Sequence, residues 1–152
     1  MDLRGIKMFM CEIPLFDQLK QDDIPVMASY LEYRTVPPKT VIANEGEVGN
    51  SVFFIVNGKA EIRKEGMDGK QASMGFRGKG ASVGEIALVV DSPMRIATIV
   101  AAETVEMLVL SRENFEKIIL KNPAIAIRIL RNIANTLSQR VGQLSGKVAD
   151  MS

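Results

Sequence analysis

The sequence predicts a mainly β fold. An antiparallel β-roll over 34–111 lies between an N-terminal helical segment over 1–33 and two C-terminal helices over 112–152. Two changes of hydrophobic period carry that reading. Apolar residues recur at helical spacing up to Tyr33, alternate with a period of two as far as Ser111, and return to helical spacing beyond it. The short central runs are rich in β-branched residues and are broken by turn residues at close, regular intervals. That pattern belongs to an antiparallel sandwich or barrel rather than to a parallel sheet. With 152 residues the chain is most simply one domain, 1–152, large enough for a proper core.

Taken in order, Ile6, Phe9, Met10 and Ile13 mark a first helical face, which Pro14 interrupts. Asp17 is placed to cap a turn ending near Leu19-Lys20. Asp22-Asp23 precedes a helix carrying Ile24, Val26, Met27 and Leu31, with Pro25 in the first turn, where a missing N–H costs little. Cys11 sits among apolar residues and is expected to be packed. These helices are expected to cover one end of the β-roll.

The expected strands are Arg34–Val36, Thr40–Ala43, Val52–Val56, Lys59–Lys64, Gln71–Phe76, Ala97–Ala101 and Val105–Ser111, out of about eight in all. Asn57-Gly58 between two apolar runs predicts a tight hairpin, since both residues tolerate positive φ. Ser111-Arg112-Glu113-Asn114 reads as a capped helix start. Asn122-Pro123 restarts a longer helix with apolar residues at Ile125, Ile129 or Leu130, Ile133, Leu137, Val141, Leu144 and Val148. These fall close to a heptad seam about three heptads long, which points to a homodimer through this helix.

Composition removes several kinds of function. Lys and Arg total 19 against 18 Asp and Glu, so no net field favours nucleic acid or a membrane surface. The single cysteine excludes a disulfide framework within the chain. No apolar run approaches the ~20 residues of a membrane span, and without a secretory pattern the expected location is cytoplasmic. The absence of histidine removes Ser-His and Cys-His nucleophile pairs and, with one cysteine, leaves almost no basis for a zinc or iron site. No paired-carboxylate site stands out either. The expectation is a binding protein with no catalytic residues, no metal and no cofactor.

The stretch Val83 to Thr98 carries the binding chemistry. Gly84 lets the backbone bend and approach a neighbour closely. Ile86-Ala87-Leu88 can form one helical turn with free N–H groups at its Gly84-Glu85 end. Asp91-Ser92-Pro93 reads as a loop, and Arg95 re-enters beside the apolar run from Ile96. An arginine grips a phosphate as a fork, and a glutamate, which only accepts, takes a sugar hydroxyl. A plain Glu85–Arg95 ion pair closing a surface loop is the alternative.

Several segments together resemble the cyclic nucleotide-binding domain shared by bacterial catabolite activator proteins, the regulatory subunits of cyclic-AMP-dependent protein kinase, and cyclic nucleotide-gated channels. Pro14 to Leu19 looks like its entry helix. Val41 to Gly58, with Gly46 and Gly49 inside it, looks like its glycine-punctuated hairpin. Gly84 to Leu88 through Pro93 to Thr98 looks like its phosphate-binding cassette. The likeness runs from about Pro14 to Val141, with the segments in the right order and spacing. It implies a double-stranded β-helix of the jelly-roll kind. It assigns Glu85 to the ribose 2′-hydroxyl, Arg95 to the cyclic phosphate, and further donors to the backbone of Gly84, Glu85, Ile86 and Ala87 and of Ile96 and Ala97. It places Arg140 of the long helix where it can stack on the purine, with an exposed helix arginine as the alternative.

The departures bear on the ligand. Ile96 follows the arginine where many family members carry Ser, Thr or Ala, and threonine there goes with cyclic GMP. Ile96 therefore leans towards cyclic AMP, with cyclic GMP as the other candidate. Lys39 and Asn50 stand where Gly and Asp are usual, as turn variants. No helix-turn-helix, kinase, channel or cyclase segment is present, so the chain is expected to be a free-standing sensor or the input domain of something larger. The expected function is a cyclic nucleotide-binding regulatory module whose ligand moves the C-terminal helix. A degenerate member of the same fold, used for dimerisation or docking without nucleotide, is the second reading. A sugar-acting β-roll enzyme is the third, and the zero histidine count stands against it.

Overall fold

A computed structural model describes the backbone of residues 1–151 and the side chains of residues 1–146. Helix α1 (Leu3–Met10) is capped by Asp2, whose carboxylate accepts from the Gly5 amide at 2.9 Å, satisfying one free first-turn donor. Ile6, Met10 and Ile13 are buried. Cys11 is not: it is exposed, and its thiol donates to the Lys7 carbonyl at 3.6 Å. One position past the buried Met10 lies about 100° further round the axis, which turns the thiol away from the core. A 3-10 turn (Pro14–Phe16) ends at Asp17, and Gln18 takes φ 63° immediately afterwards. Asp17 thus closes this turn instead of capping one that reaches Lys20. Helix α2 (Asp23–Ala28) has Pro25 in its first turn.

Eight strands follow: β1 (Glu32–Val36), β2 (Val41–Ala43), β3 (Ser51–Asn57), β4 (Ala60–Glu65), β5 (Gln71–Arg77), β6 (Ser82–Val83), β7 (Thr98–Ala101) and β8 (Val105–Ser111). They form two four-stranded sheets, ordered β1-β8-β3-β6 and β2-β7-β4-β5, and every pairing is antiparallel. The strands expected from the period-two pattern all form, and β1 starts slightly early, at Glu32. β6 is the addition, a strand of two residues and so too short to show alternation.

Asn57-Gly58 does not close a hairpin. β3 and β4 lie in different sheets, and the dipeptide is the corner between them. Gly58 takes φ +89°, and a β-carbon there would lie 3.1 Å from Val105 Cα. The neighbouring corner from β7 to β8 runs alongside, with the Ala102 amide donating to the Lys59 carbonyl at 2.9 Å. The dipeptide's tolerance of positive φ is used, but for a change of sheet.

Phe53, Ile55, Met107 and Val109 of the first sheet meet Ala43, Ala60, Ile99 and Ala101 of the second in the core between the sheets. The other face of the first sheet, with Val52, Phe54, Leu108 and Leu110, is covered by the helices. β3 and β8 are therefore buried on both faces, which is why they read as nearly unbroken apolar runs. The Phe16 and Phe54 rings lie 4.8 Å apart, tying the N-terminal turn to this layer. Asn132 clamps the same turn, donating to the carbonyls of Leu15 and Asp17 at 2.9 and 2.8 Å.

Helix α3 (Arg112–Lys121) starts as expected, with Ser111 Oγ accepting from the Asn114 amide at 3.0 Å. Helix α4 (Pro123–Met151) begins at the proline. Its apolar residues form two stripes and not one seam. Ile125, Ile129 and Ile133 are buried against the domain's own helices and sheet. Ile127, Leu130, Leu137, Val141 and Leu144 are exposed, on a face rotated roughly 100° from the first at about 100° per residue. Ile125, Ile129 and Ile133 therefore leave the expected seam, because α3 and the Pro14–Phe16 turn of the same domain cover them. Val148 lies outside the described side chains.

Candidate functional site

A short ladder between two loops positions the central arginine. The Arg95 amide donates to the Glu47 carbonyl at 2.7 Å, the Gly46 amide to the Arg95 carbonyl at 2.8 Å, and the Gly49 amide to the Pro93 carbonyl at 2.6 Å. Arg95 is thereby fixed against the glycine-rich 46–49 loop, and its side chain turns inward. Nη2 donates to the Ser51 carbonyl at 2.7 Å, and the guanidinium lies over the Phe53 ring, 5.2 Å from its centroid. Two glycines make the room. A β-carbon at Gly49 would lie 2.6 Å from Arg95 Cζ, and one at Gly84 would lie 3.4 Å from it. Gly84 also holds φ +84°, so that position requires glycine twice over.

Burial pushes the Arg95 pKa down, yet a guanidinium stays charged at any physiological pH. Among the described residues no carboxylate pairs with it. A half-buried cation held by one carbonyl and one aromatic face is poised for an anion.

Glu85 opens the 3-10 turn Glu85–Leu88 and is only 4% exposed. It does not pair with Arg95, so the plain loop-closing ion pair is absent. Its partner is Arg140 of α4. Nη2 of Arg140 lies 3.2 Å from Oε1, and Nη1 lies 3.5 Å from Oε2. The Arg140 side chain is 48% exposed and reaches back to this carboxylate. Two carboxylate oxygens offer about four acceptor positions, so Glu85 can hold this arginine and still accept a hydroxyl.

Gly84, Glu85, Ile86, Ala87, Arg95, Ile96, Ala97 and Arg140 all line one cavity of about 240 Å³. The walls are otherwise largely apolar, with Ile62 and Ile99 from the second sheet and Leu137 from α4. Such a site offers a flat, apolar group a place beside a charged end. Ile96 is 65% exposed at the mouth, and its carbonyl accepts from Lys64 Nζ at 2.8 Å.

Arg77 and Leu137 are among the lining residues that the sequence reading does not assign to the site. Arg77 ends β5 and faces the cavity. The β4–β5 register slips between Glu61 and Arg63, beside Gly75 at φ +107°. One extra residue there reverses the in–out alternation, so the strand pattern does not show which side Arg77 takes. Leu137 is the other. It belongs to the exposed stripe of α4 and to the cavity wall at once. A residue four positions before Val141 and three before Arg140 is shared by adjacent faces of a helix. Among the described residues no helix is long and apolar enough to cross a membrane.

Comparison with known proteins agrees with this arrangement. A family model described as "Cyclic nucleotide-binding domain" matches residues 33–122. The chain is 29% identical over 128 residues to the cyclic AMP receptor protein of Thermus thermophilus, covering 84% of this chain and 57% of that protein. It is 30% identical over 111 residues to the cAMP-dependent protein kinase regulatory subunit of Yarrowia lipolytica, covering 73% of this chain and 28% of that one. The chain thus spans little more than half of the first relative's length and far less of the second's. Its fold is that of a cyclic nucleotide-binding domain from Methylobacillus flagellatus, with a TM-score of 0.83 at 21% identity over 99% of this chain and 84% of that one.

Proposed function

The chain belongs to the cyclic nucleotide-binding domain family, and on that premise we propose that it is a regulatory module that binds a cyclic nucleotide and couples the binding to α4. The observation that carries this reading is Arg95, a half-buried guanidinium with no carboxylate partner among the described residues, at the end of an apolar cavity. In this reading the cyclic phosphate takes the Arg95 fork and the ribose 2′-hydroxyl donates to Glu85. The purine lies among Ile62, Ile99 and Leu137. Cyclic AMP is the first candidate, because Ile96 supplies no hydroxyl for an extra base contact, and cyclic GMP is the second.

Coupling needs a ligand that favours one arrangement of α4 over another. Glu85 supplies the link: it takes the ligand's hydroxyl on one side and Arg140 on the other, so occupancy of the cavity bears on the helix. The exposed stripe of Leu130, Leu137, Val141 and Leu144 is an apolar face suited to the same stripe of a second copy, making the module a homodimer through α4. Its role is binding, not catalysis.

A thermal-shift screen with cyclic AMP, cyclic GMP, cyclic di-GMP and AMP tests the reading. At 100 times the dissociation constant a ligand adds about 2.7 kcal/mol of stability, which for a domain of this size raises Tm by roughly 5–10 °C. Cyclic AMP is expected to give the largest rise and AMP none. No rise with any of the four would leave a docking domain without nucleotide, a role that the existing Glu85–Arg140 pair would then serve as a fixed brace.

A further inference from the structure

Arg112, the first residue of α3, reaches back across the domain to the cassette. Its Nη1 donates to the Val90 carbonyl and lies 3.5 Å from the Ala87 carbonyl. These two carbonyls stand at the C-terminal end of the turn whose other end carries Gly84 and Glu85. A cation there satisfies the carbonyl groups that a helical turn leaves open. On its own helix, Arg112 Nε lies 3.8 Å from Glu116 Oε1, one turn along, so the guanidinium is held from behind as well as in front.

The backbone of Arg112 is anchored on the same side of the site. Its amide donates to the Asn50 carbonyl at 2.7 Å, and the preceding Ser111 pairs with Ser51 across the β3–β8 ladder. Ser51 is the residue whose carbonyl holds Arg95. One short path therefore joins the two ends of the cassette. It runs from Arg95 through Ser51 and Ser111 to Arg112, and from Arg112 to Ala87 and Val90. α3 in turn packs on α4, so whatever displaces the end of the turn acts on both helices through one side chain.

We propose that Arg112 is a positioning residue that transmits the state of the 84–90 turn to α3 and α4. This rests on the reading of the cavity as a cyclic nucleotide site. It concerns a side chain that is not among the cavity's lining residues, so binding and transmission are separable. When the turn is drawn towards a ligand at its Glu85 end, the carbonyls of Ala87 and Val90 move with it. A guanidinium fixed to both carbonyls and to Glu116 carries α3 along. Without the guanidinium, the turn moves without drawing α3, and α4 keeps only its direct link through Glu85 and Arg140.

The test uses the full chain, with Cys11→Ser to clear the native thiol and spin labels at Asp68→Cys and Ser138→Cys. Both labelled positions are exposed and remote from the clamp. In the otherwise unaltered chain, cyclic AMP is expected to shift the inter-label distance. Arg112→Ala is expected to keep its affinity for cyclic AMP within about threefold by calorimetry and to lose most of the shift, and Arg112→Lys to recover part of what is lost. Without nucleotide, Arg112→Ala should also speed hydrogen exchange of the amides of residues 86–90 selectively. A full shift retained in Arg112→Ala overturns the inference and leaves the binding proposal standing, as does unchanged exchange at those amides. Loss of binding in Arg112→Ala, with Arg112→Lys equally silent, also overturns it, by placing Arg112 in the site itself. If the unaltered chain binds no cyclic nucleotide, the binding proposal fails on its own, and the exchange comparison still judges the clamp.

Discussion

Glu85 and Arg140 are separated by 55 residues in the chain and by 3.2 Å in space. One is almost fully buried and the other half exposed, so the pair is neither a surface ion pair nor a desolvated one. Its coupling should be about 1 kcal/mol, at the top of the surface range. A double-mutant cycle of Glu85→Gln and Arg140→Ala, read by urea unfolding without nucleotide, checks this. Arg140→Ala alone should cost more than Glu85→Gln, since it leaves a buried carboxylate unpaired. Equal costs that simply add would show that the two side chains do not act on each other.

Arg95→Ala should lower affinity for cyclic AMP by roughly 10- to 100-fold, the worth of a charge-assisted phosphate contact of about 1.5–3 kcal/mol. Glu85→Ala should weaken binding less, since it removes contacts to a neutral hydroxyl. Calorimetry on both variants decides the order. Unchanged affinity in Arg95→Ala would remove the phosphate assignment.

Two copies are expected to pair in parallel through the exposed stripe of α4. Val141 and Leu144 are 63% and 61% exposed and do not line the cavity. Val141→Lys with Leu144→Lys should therefore give a monomer that still binds nucleotide. Leu137 is unsuitable for this purpose, because it also forms part of the cavity wall. Light scattering of the unmodified protein at tens of micromolar is the direct check, and a monomer with and without ligand would refute the pairing.

Stability should be flat from about pH 5 to 8, since the chain has no histidine, and should fall in acid. The hydrogen bond from Tyr33, with a second from Asn57 at 3.1 Å, holds the Glu106 carboxyl below its ordinary pKa. A carboxyl with a depressed folded pKa stabilises the fold above its unfolded pKa of about 4.3. That contribution is lost as pH falls through the folded value. The same bond raises the Tyr33 pKa, so its share persists below about pH 10 and is lost as pH rises through the raised value. Glu106→Gln should cost about 1 kcal/mol or less at pH 7 and flatten both limbs in urea titrations at pH 3, 7 and 11.

Lys39 holds φ +70°, a left-handed conformation that costs a side-chain-bearing residue roughly 1–2 kcal/mol. Lys39→Gly removes that cost but adds about 0.5–1 kcal/mol of chain entropy to be lost on folding. The variant should come out level with the parent or up to about 1.5 kcal/mol more stable. Thermal unfolding measures it, and a clear loss would show that the lysine side chain contributes more than its backbone costs.

The cassette was legible because Gly84 to Ala97 is contiguous, so its chemistry appears as spacing along the chain. Arg140 was reachable only through resemblance, since nothing local joins residue 140 to residue 85. Asn57-Gly58 misled for a related reason. Positive φ is a local property that the sequence displays, but which strand a corner hands the chain to is decided by distant pairing. Arg77 stayed hidden behind a slip in register, and β6 behind its own brevity. The long helix shows the limit most clearly. Ile125, Ile129, Ile133 and Leu137 follow one another at intervals of four, yet the first three are buried in the helical layer and the fourth is partly exposed at the cavity wall. Where that cover stops is set by the elements packed beside the helix, not by the helix itself.

Leu137 carries a consequence for how affinity would be measured. It stands on the cavity wall and on the face that a second copy would meet, so the two binding events would share a side chain through which they can couple. Linkage is reciprocal: if nucleotide tightens the pairing, pairing tightens the nucleotide by the same factor. The apparent dissociation constant would then depend on protein concentration, weakening on dilution towards the value for an isolated copy. In a cell, the amount of the protein present would set the threshold at which it responds.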